Sequence, residues 1–214
     1  MSHGHYDHTG GFRALVEEYS TSFKLILGKG FFNEKFKAIE SGYKFNGNSF
    51  SEDFIIQNNI TKKQVDDSVF YINDDIMVFT NFKRYNEFET IDKNFKVKYE
   101  DNYIDDLFLD EIALGIKTAK GLIVIVGCSH IGIVNILNSI TESVNMPIYA
   151  VIGGTHLIGA SKDRLDITIE HLKNLNIEIL AVSHCTGEDG IKQLKDTFEE
   201  KFIYNNTGNI LNLT

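Results

Sequence analysis

Hydrophobic and polar positions near the start of the chain predict a helix followed by a strand. Phe12, Leu15, Val16 and Tyr19 recur at helical spacing, and Thr9 is the candidate N-cap. Residues 23–27 form a short, mostly apolar run that ends at a glycine, as a buried strand does. We therefore expect a helix–strand pair directly after the first ten residues.

The C-terminal half alternates apolar runs with amphipathic stretches. We predict a hairpin from 112–116 and 122–126, strands at 148–152 and 177–182, helices at 131–140, 162–174 and up to about 201, and a last short strand at 209–213. Thr186 and Asp189 resemble a capping box for the last helix. Strand–helix alternation of this kind predicts an α/β protein.

Residues 31–105 give a weaker pattern, rich in Phe, Tyr, Asn and Lys with short apolar stretches. We expect short strands and irregular loops there, inside a single domain that spans residues 1–214. A long aromatic segment between motifs can form a lid over a site. Ordinary hydrophobic packing explains the same composition, and the sequence leaves both interpretations open.

Composition limits the class of partner. The chain has 214 residues, 43% of them hydrophobic, which suits one globular domain. Its net charge of -9 argues against nucleic acid, because phosphate backbones require clustered cations. We found no apolar run of the roughly 20 residues that span a bilayer, and no signal pattern. We expect a cytoplasmic protein that acts on a small molecule, away from membranes, and oligomer formation is left open.

The densest chemical signal is the run His3-Gly4-His5-Tyr6-Asp7-His8. Imidazole and carboxylate groups are ligands for zinc and similar divalent ions. In an extended segment His3 and His5 point to the same side. A turn at Asp7 and His8 can direct the second pair of ligands toward a neighbouring point. One loop could thus supply two ligands to each of two ions.

Three more histidines follow predicted strands and their turns: His130, His156 and His184. In open α/β sheets, ligands gather beyond the carboxyl ends of strands, so we expect these residues to meet the N-terminal cluster. His171 lies in a predicted helix, and we interpret it as a packing or surface residue. Cys128 and Cys185 each lie within two residues of a candidate ligand. We interpret them as small buried residues, with metal binding as the minority alternative.

The motif His3-x-His5-x-Asp7-His8 followed by Thr-Gly-Gly resembles the signature of the metallo-β-lactamase superfamily. The chain is most similar to the subfamily of dihydropterin ribofuranosyl-aminobenzene phosphate synthase-like proteins. The resemblance is carried by 2–11, 110–114, 127–135, 153–157 and 184–187, and is weak between about 31 and 100. It implies an αββα sandwich with a dinuclear site at its edge. Members carry strands before the first motif, so we expect a chain that is incomplete at its N-terminus.

The resemblance implies His3, His5 and His130 on one metal ion, and Asp7, His8 and His184 on the other. Many members have a bridging Asp where this chain reads Gly153-Gly154-Thr155-His156. Either His156 takes a metal or substrate role, or hydroxide bridges alone. We assign Asp7 and His156 as the candidate catalytic residues, and Asp7 also orients the nucleophile.

The implied function is a hydrolase that uses a metal-bound hydroxide on a small, phosphorylated molecule. Two zinc ions are the first expectation, with iron or manganese as alternatives. The Lys83-Arg84 pair is a weak candidate for a phosphate contact. Di-iron oxidoreductases of the same fold carry Glu in place of His5, so His5 favours hydrolysis. A non-catalytic metal-binding fragment is the other alternative.

Overall fold

A computed structural model describes residues 1–19 and 22–213. The strands are β1 (Lys24–Leu27), β2 (Lys35–Ile39), β3 (Gly42–Phe45), β4 (Thr61–Gln64), β5 (Val69–Tyr71), β6 (Ile76–Phe79), β7 (Phe95–Tyr99), β8 (Asn102–Asp105), β9 (Ala113–Thr118), β10 (Gly121–Ile125), β11 (Ile148–Gly153), β12 (Ile179–Val182) and β13 (Phe202–Tyr204). The helices are α1 (Tyr6–Thr9), α2 (Phe12–Glu18), α3 (Glu52–Gln57), α4 (Ile133–Val144), α5 (Lys162–Asn174) and α6 (Gly187–Phe198).

A seven-stranded mixed sheet forms the centre, in the order β13-β12-β11-β10-β9-β6-β5. Strands β10 to β13 run parallel, whereas β10, β9, β6 and β5 pair antiparallel. The inner parallel strands are apolar throughout because both of their faces are covered. The loops that carry the candidate histidines therefore leave this sheet at one end.

This sheet is one of four stacked layers. Helices α4, α5 and α6 bury residues such as Leu137, Leu172 and Leu194 against one face. The other face packs against the parallel pair β1–β4 through residues that include Ile26 and Val78. Phe12 of α2 and the side chains of α3 cover the outer side of β1. The order helix–sheet–sheet–helix confirms the predicted α/β sandwich.

Residues 35–105 contribute a further antiparallel sheet, in the order β3-β2-β7-β8. Short strands were expected there, and short strands are present. Tyr43 and Tyr103 stack on one another, with ring centroids 3.8 Å apart. The lid interpretation stays a prediction.

Three local predictions are wrong. The last strand is β13, whereas 209–213 is irregular. Gly11, not Thr9, precedes α2, because the buried Thr9 hydroxyl donates to His5 O at 3.0 Å. The Thr186 hydroxyl donates to Ser183 O at 2.8 Å and makes no cap to α6. In both threonines a buried hydroxyl uses a nearby carbonyl acceptor in place of a helix N–H group. Among the described helices, none has the length and apolar character needed to cross a bilayer.

Candidate metal centre

The N-terminal loop is fastened to the sheet by backbone contacts. The Met1 amino group donates to Ile26 O at 3.1 Å, and Ile112 N donates to Ser2 O at 2.8 Å. A Cβ atom at Gly127 would lie 2.5 Å from Ser2 Oγ, so glycine is required for this approach. The loop is therefore held between β1 and the ends of β9 and β10.

A buried charge cluster holds the same loop from behind. Gly4 N donates to Asp110 Oδ2 at 2.7 Å, and Lys35 Nζ donates to Asp110 Oδ1 at 2.8 Å and to Asp106 Oδ2 at 2.6 Å. Burial raises the pKa of Asp110 even though Lys35 opposes the shift. Burial alone would lower the pKa of Lys35, but Asp110 and Asp106 outweigh it and the net shift is upward. The cluster ties β2 to the backbone between His3 and His5.

His3, His5 and His130 form the first donor group. Their ring centroids lie 4.8, 4.9 and 4.8 Å apart, and their donor atoms all lie within 4.8 Å of one another. The three side chains are buried, and no Nε2 atom among them has a hydrogen-bond partner in the described part of the chain. Buried, unpaired polar atoms are costly, so three neighbouring imidazoles that each carry an unpaired nitrogen fit a bound cation.

The protonation state of this group also fits a cation. Burial lowers the pKa of His3 and His130 well below the usual value, and lowers the pKa of His5 to about 3. All three imidazoles are therefore neutral at pH 7. Neutral imidazole is the form that binds zinc and similar ions.

Glu111 positions His130. Its carboxylate accepts from His130 N at 2.8 Å and from Ile131 N at 2.9 Å, in a fully buried position. Burial raises the pKa of Glu111 to about 7, against the effect of these two hydrogen bonds. The loop after β10 thus depends on one carboxylate for its shape, and His130 lies on that loop.

Asp7, His8, Cys128 and His184 form the second donor group. His8 Nε2 lies 3.0 Å from Cys128 Sγ and 3.3 Å from His184 Nε2. Asp7 Oδ2 lies 3.2 Å from His184 Nε2 and 3.7 Å from His8 Nε2. The side chains of Asp7 and His184 are 51% and 46% exposed, so this group faces solvent whereas the first does not.

These distances match the edges of a tetrahedral site. Zinc bonds of about 2.0–2.1 Å to nitrogen and 2.3 Å to sulfur imply donor–donor separations of about 3.3–3.6 Å. The observed separations are 3.0–3.7 Å. Side chains with electron pairs would repel at this spacing unless a proton or a cation lies between them. The second group therefore also fits a divalent ion.

No protein-family model matches the chain. The 7,8-dihydropterin-6-methyl-4-(β-D-ribofuranosyl)-aminobenzene-5'-phosphate synthase of Methanocaldococcus jannaschii is 31% identical over 99% of this chain and 73% of its own length. An uncharacterised protein of the same organism is 31% identical over 100% of this chain and 77% of its own. The crystal structure of a metal-dependent hydrolase of the β-lactamase superfamily matches with a TM-score of 0.85 and 29% identity, over 100% of this chain and 78% of the other.

The chain belongs to the metallo-β-lactamase superfamily. The relatives whose activities are named are enzymes, one a synthase and one a metal-dependent hydrolase. Together with the two donor groups, this supports metal binding by the chain. The expected relation to synthase-like proteins is confirmed.

The bridging Asp of many superfamily members has no room here. A Cβ atom at Gly154 would lie 2.5 Å from Cys185 Sγ and 2.8 Å from Gly127 O. His156, two residues later, lies beside members of both groups: its ring is 4.2 Å from that of His130, and its donor atom lies within 4.8 Å of those of His130 and Cys128. Its backbone has φ +48, and its Nδ1 atom is buried without a partner among the described residues.

The structure brings together all seven residues that the sequence predicted for the superfamily site. It also adds Cys128, whose sulfur the sequence interpretation assigned to packing. The signal for it was its position two residues before His130. His171 stacks on Phe88 at 5.5 Å within α5, as expected for a packing residue. Lys83 pairs with Glu142 at 3.0 Å near the end of α4, and the phosphate contact of the Lys83-Arg84 pair stays a prediction.

Access to the centre is from the second group. A cleft of about 520 Å³ opens beside His8 and His184 and is lined mainly by apolar side chains. A separate cavity of about 560 Å³ is lined by residues such as Arg13 and Asn48, and none of the donor residues reaches it. On the opposite side Phe95 of β7 closes the first group, with ring distances of 4.9 Å to His5 and 5.1 Å to His130.

Proposed function

We propose that this chain is a two-metal hydrolase that acts on a small phosphorylated molecule. The observation that carries the proposal is the pair of preformed donor groups, which share one site at the sheet end. A single such group could be structural. Two adjacent groups, one buried and one open to solvent, favour a reaction at the open side.

In this proposal His3, His5 and His130 hold one ion, and Asp7, His8 and His184 hold the other. Zinc is the first expectation, with iron or manganese as alternatives. Two ions held there would supply Lewis acidity and a nucleophile from water at neutral pH. Substrate entry, orientation of the attacking group, proton transfer and exclusion of water would depend on the protein side chains.

Each side chain has a task that its surroundings suggest. The exposed Asp7 and His184 border the path by which a substrate enters. Asp7 also orients the attacking group, because its carboxylate is the acidic member of the second donor group. His156 can hold or move a proton at Nδ1, which has no partner among the described residues. Phe95 and its sheet act as a lid that excludes water from the first group.

The phosphorylated substrate is inferred from the relatives. The synthase is named for a 5'-phosphate product, and its similarity covers almost the whole chain. That similarity also favours a second candidate, in which the aromatic amine of a ribofuranosyl-aminobenzene phosphate displaces the leaving group of an activated dihydropterin, so that a C–N bond forms as the bond to the leaving group breaks. Both candidates place a phosphate-bearing molecule at the open donor group. They differ in the attacking nucleophile, which is water in the hydrolase and an aromatic amine in the synthase.

The test is an activity panel on protein purified without a His tag, stripped with a chelator and reloaded with zinc, iron or manganese. The panel contains phosphodiesters, phosphomonoesters, uncharged esters, lactams, and an activated dihydropterin together with the ribofuranosyl-aminobenzene phosphate. We expect metal-restored activity on a phosphorylated compound. It should be lost in His130→Ala and kept in His171→Ala, the matched control from α5.

Two results would contradict the proposal. Activity on uncharged esters or lactams alone would refute the phosphorylated substrate. Failure of all three metals to restore any activity would refute the metal-dependent reaction. Formation of the joined product without hydrolysis of any panel member would replace the hydrolase by the synthase candidate.

A further inference from the structure

We propose that the thiolate of Cys128 is a ligand of the second ion, so that this ion is held by four protein donors, Asp7, His8, His184 and Cys128. The inference rests on the proposed function in one respect, since it requires an ion in the second donor group. It adds Cys128 to the three ligands that the proposed function assigns to the second ion, and it predicts which metals the second donor group prefers.

The position of the sulfur carries the proposal. Cys128 follows β10 by three residues and is buried, with 3% of its surface exposed. Its Sγ atom lies 3.0 Å from His8 Nε2 and within 4.8 Å of the donor atoms of Asp7 and His184. Asp7 and His184 are exposed and His8 is partly exposed, whereas the Cys128 sulfur is buried. The sulfur therefore closes the inner side of a site whose outer side is open to solvent.

The sulfur is also surrounded by ligands and not by apolar atoms alone. It shares a second set of mutually close donor atoms with His130 and His156. A cysteine that served only as a small apolar residue would gain nothing from a position among four imidazoles and a carboxylate. A cation in the second donor group would use the electron pairs of the sulfur, the carboxylate and the two imidazoles of that group.

The other cysteine gives the contrast. Cys185 Sγ donates to Cys128 O at 3.3 Å and packs beneath Gly154. It is a member of none of the three donor groups of the described residues. The two cysteines are close in space, yet the geometry assigns packing to Cys185 and ligation to Cys128.

Charge supports the assignment. The first group offers three neutral imidazoles, whereas the second would combine a carboxylate and a thiolate with two imidazoles. Two negative donors neutralise a divalent ion, which favours a tightly held ion at the open position. Thiolate ligands also favour zinc and cobalt over manganese. The proposal therefore narrows the metal alternatives at the second group to thiophilic ions.

Cobalt spectroscopy tests the inference with a readout other than activity. The untagged, reduced chain is stripped and titrated with Co²⁺, while the near-ultraviolet thiolate-to-cobalt charge-transfer band and the bound cobalt are both measured. The variants are Cys128→Ser, Cys128→Ala and the matched control Cys185→Ser. We expect the band in the unmodified chain and in Cys185→Ser. Both Cys128 variants should lose the band and bind the second ion about 10-fold or more weakly, while still binding the first.

The outcomes separate this inference from the function. The chain has two cysteines, so a band that persists in Cys185→Ser assigns the ligand to Cys128 even if the Cys128 variants do not fold. Two bound cobalt ions without the band, or a band that disappears in Cys185→Ser, would overturn the cysteine ligand and leave the two-metal function standing. Fewer than two bound ions in the unmodified chain would overturn both.

Discussion

Replacing Lys35 by Met removes the cation that lies between two buried carboxylates. The side chains of Lys35, Asp106 and Asp110 are 2%, 4% and 2% exposed, so water cannot replace the lost ammonium group. Methionine has a similar length and an apolar stem, so the change mainly removes charge and hydrogen bonds. Breaking a buried ion pair in this way costs about 3–5 kcal/mol, because an uncompensated charge is left behind.

The matched control lies in the neighbouring strands. Lys96 of β7 donates to Asp105 of β8 at 2.5 Å, but the Asp105 side chain is 52% exposed. Exposed pairs contribute about 0–1 kcal/mol, so Lys96→Met should have a small effect. Urea denaturation of both variants and of the unmodified chain measures the difference in the free energy of unfolding.

The effect of Lys35→Met should also depend on pH. Without the ammonium group, burial raises the pKa of the Asp110 carboxyl group further, so the folded variant keeps a proton that the unfolded chain releases above about pH 4. A state that binds more protons when folded loses stability as pH rises. The loss should therefore be larger at pH 8 than at pH 5. Equal losses in Lys35→Met and Lys96→Met, or a loss that does not change with pH, would refute the reasoning.

Three further predictions concern the loops that carry the ligands. Glu111→Gln replaces one of two oxygen acceptors for the loop of His130, so zinc affinity should fall about 10–100-fold by equilibrium dialysis; unchanged affinity would contradict this positioning role. The metal-free chain should lose stability as pH falls from about 6.5 toward 3, because the three buried first-group histidines stay neutral when folded but take up protons when unfolded, at about 1.4 kcal/mol per pH unit for each. The raised pKa values of Glu111, Asp110 and Glu89 act in the opposite direction until the pH reaches the unfolded carboxyl values near about 4, whereas the lowered histidine pKa values act down to about pH 3. A flat pH profile of thermal melting would count against the lowered histidine pKa values. Gly154→Ala should destabilise the chain by about 1–3 kcal/mol, since its Cβ would meet Cys185 Sγ at 2.5 Å, whereas Gly11→Ala meets nothing within 4 Å and should cost less; equal denaturation midpoints would show that the loops have space to adjust.

The parts of the site that sequence predicted are those with a local signal. His130 and His184 each follow an apolar strand and its turn, and a window of about ten residues is enough to recognise the end of such a strand. The N-terminal cluster is recognised from a short window as well, since three histidines and an aspartate lie within six residues. The alternation of apolar runs with amphipathic stretches likewise gave the α/β class.

The parts that sequence missed depend on distant partners. Lys35 meets Asp110 across 75 residues, and Cys128 meets His8 across 120. Sequence alone predicts a surface position for Lys35, because Lys is rarely buried without a paired charge and its partners lie far away in the chain. The capping errors at Thr9 and Thr186 have a different, local cause, since each hydroxyl donates to a carbonyl that lies three or four residues earlier in the chain.

The central claim is that two ions bind side by side at the sheet end. Anomalous diffraction at the zinc absorption edge, from crystals of untagged protein grown with zinc, tests it most directly. We predict two peaks about 3.5–4 Å apart. One should lie among the imidazole nitrogens of His3, His5 and His130, and the other among Asp7, His8 and His184. Crystals grown with zinc that lack a peak in one or both donor groups would contradict the account.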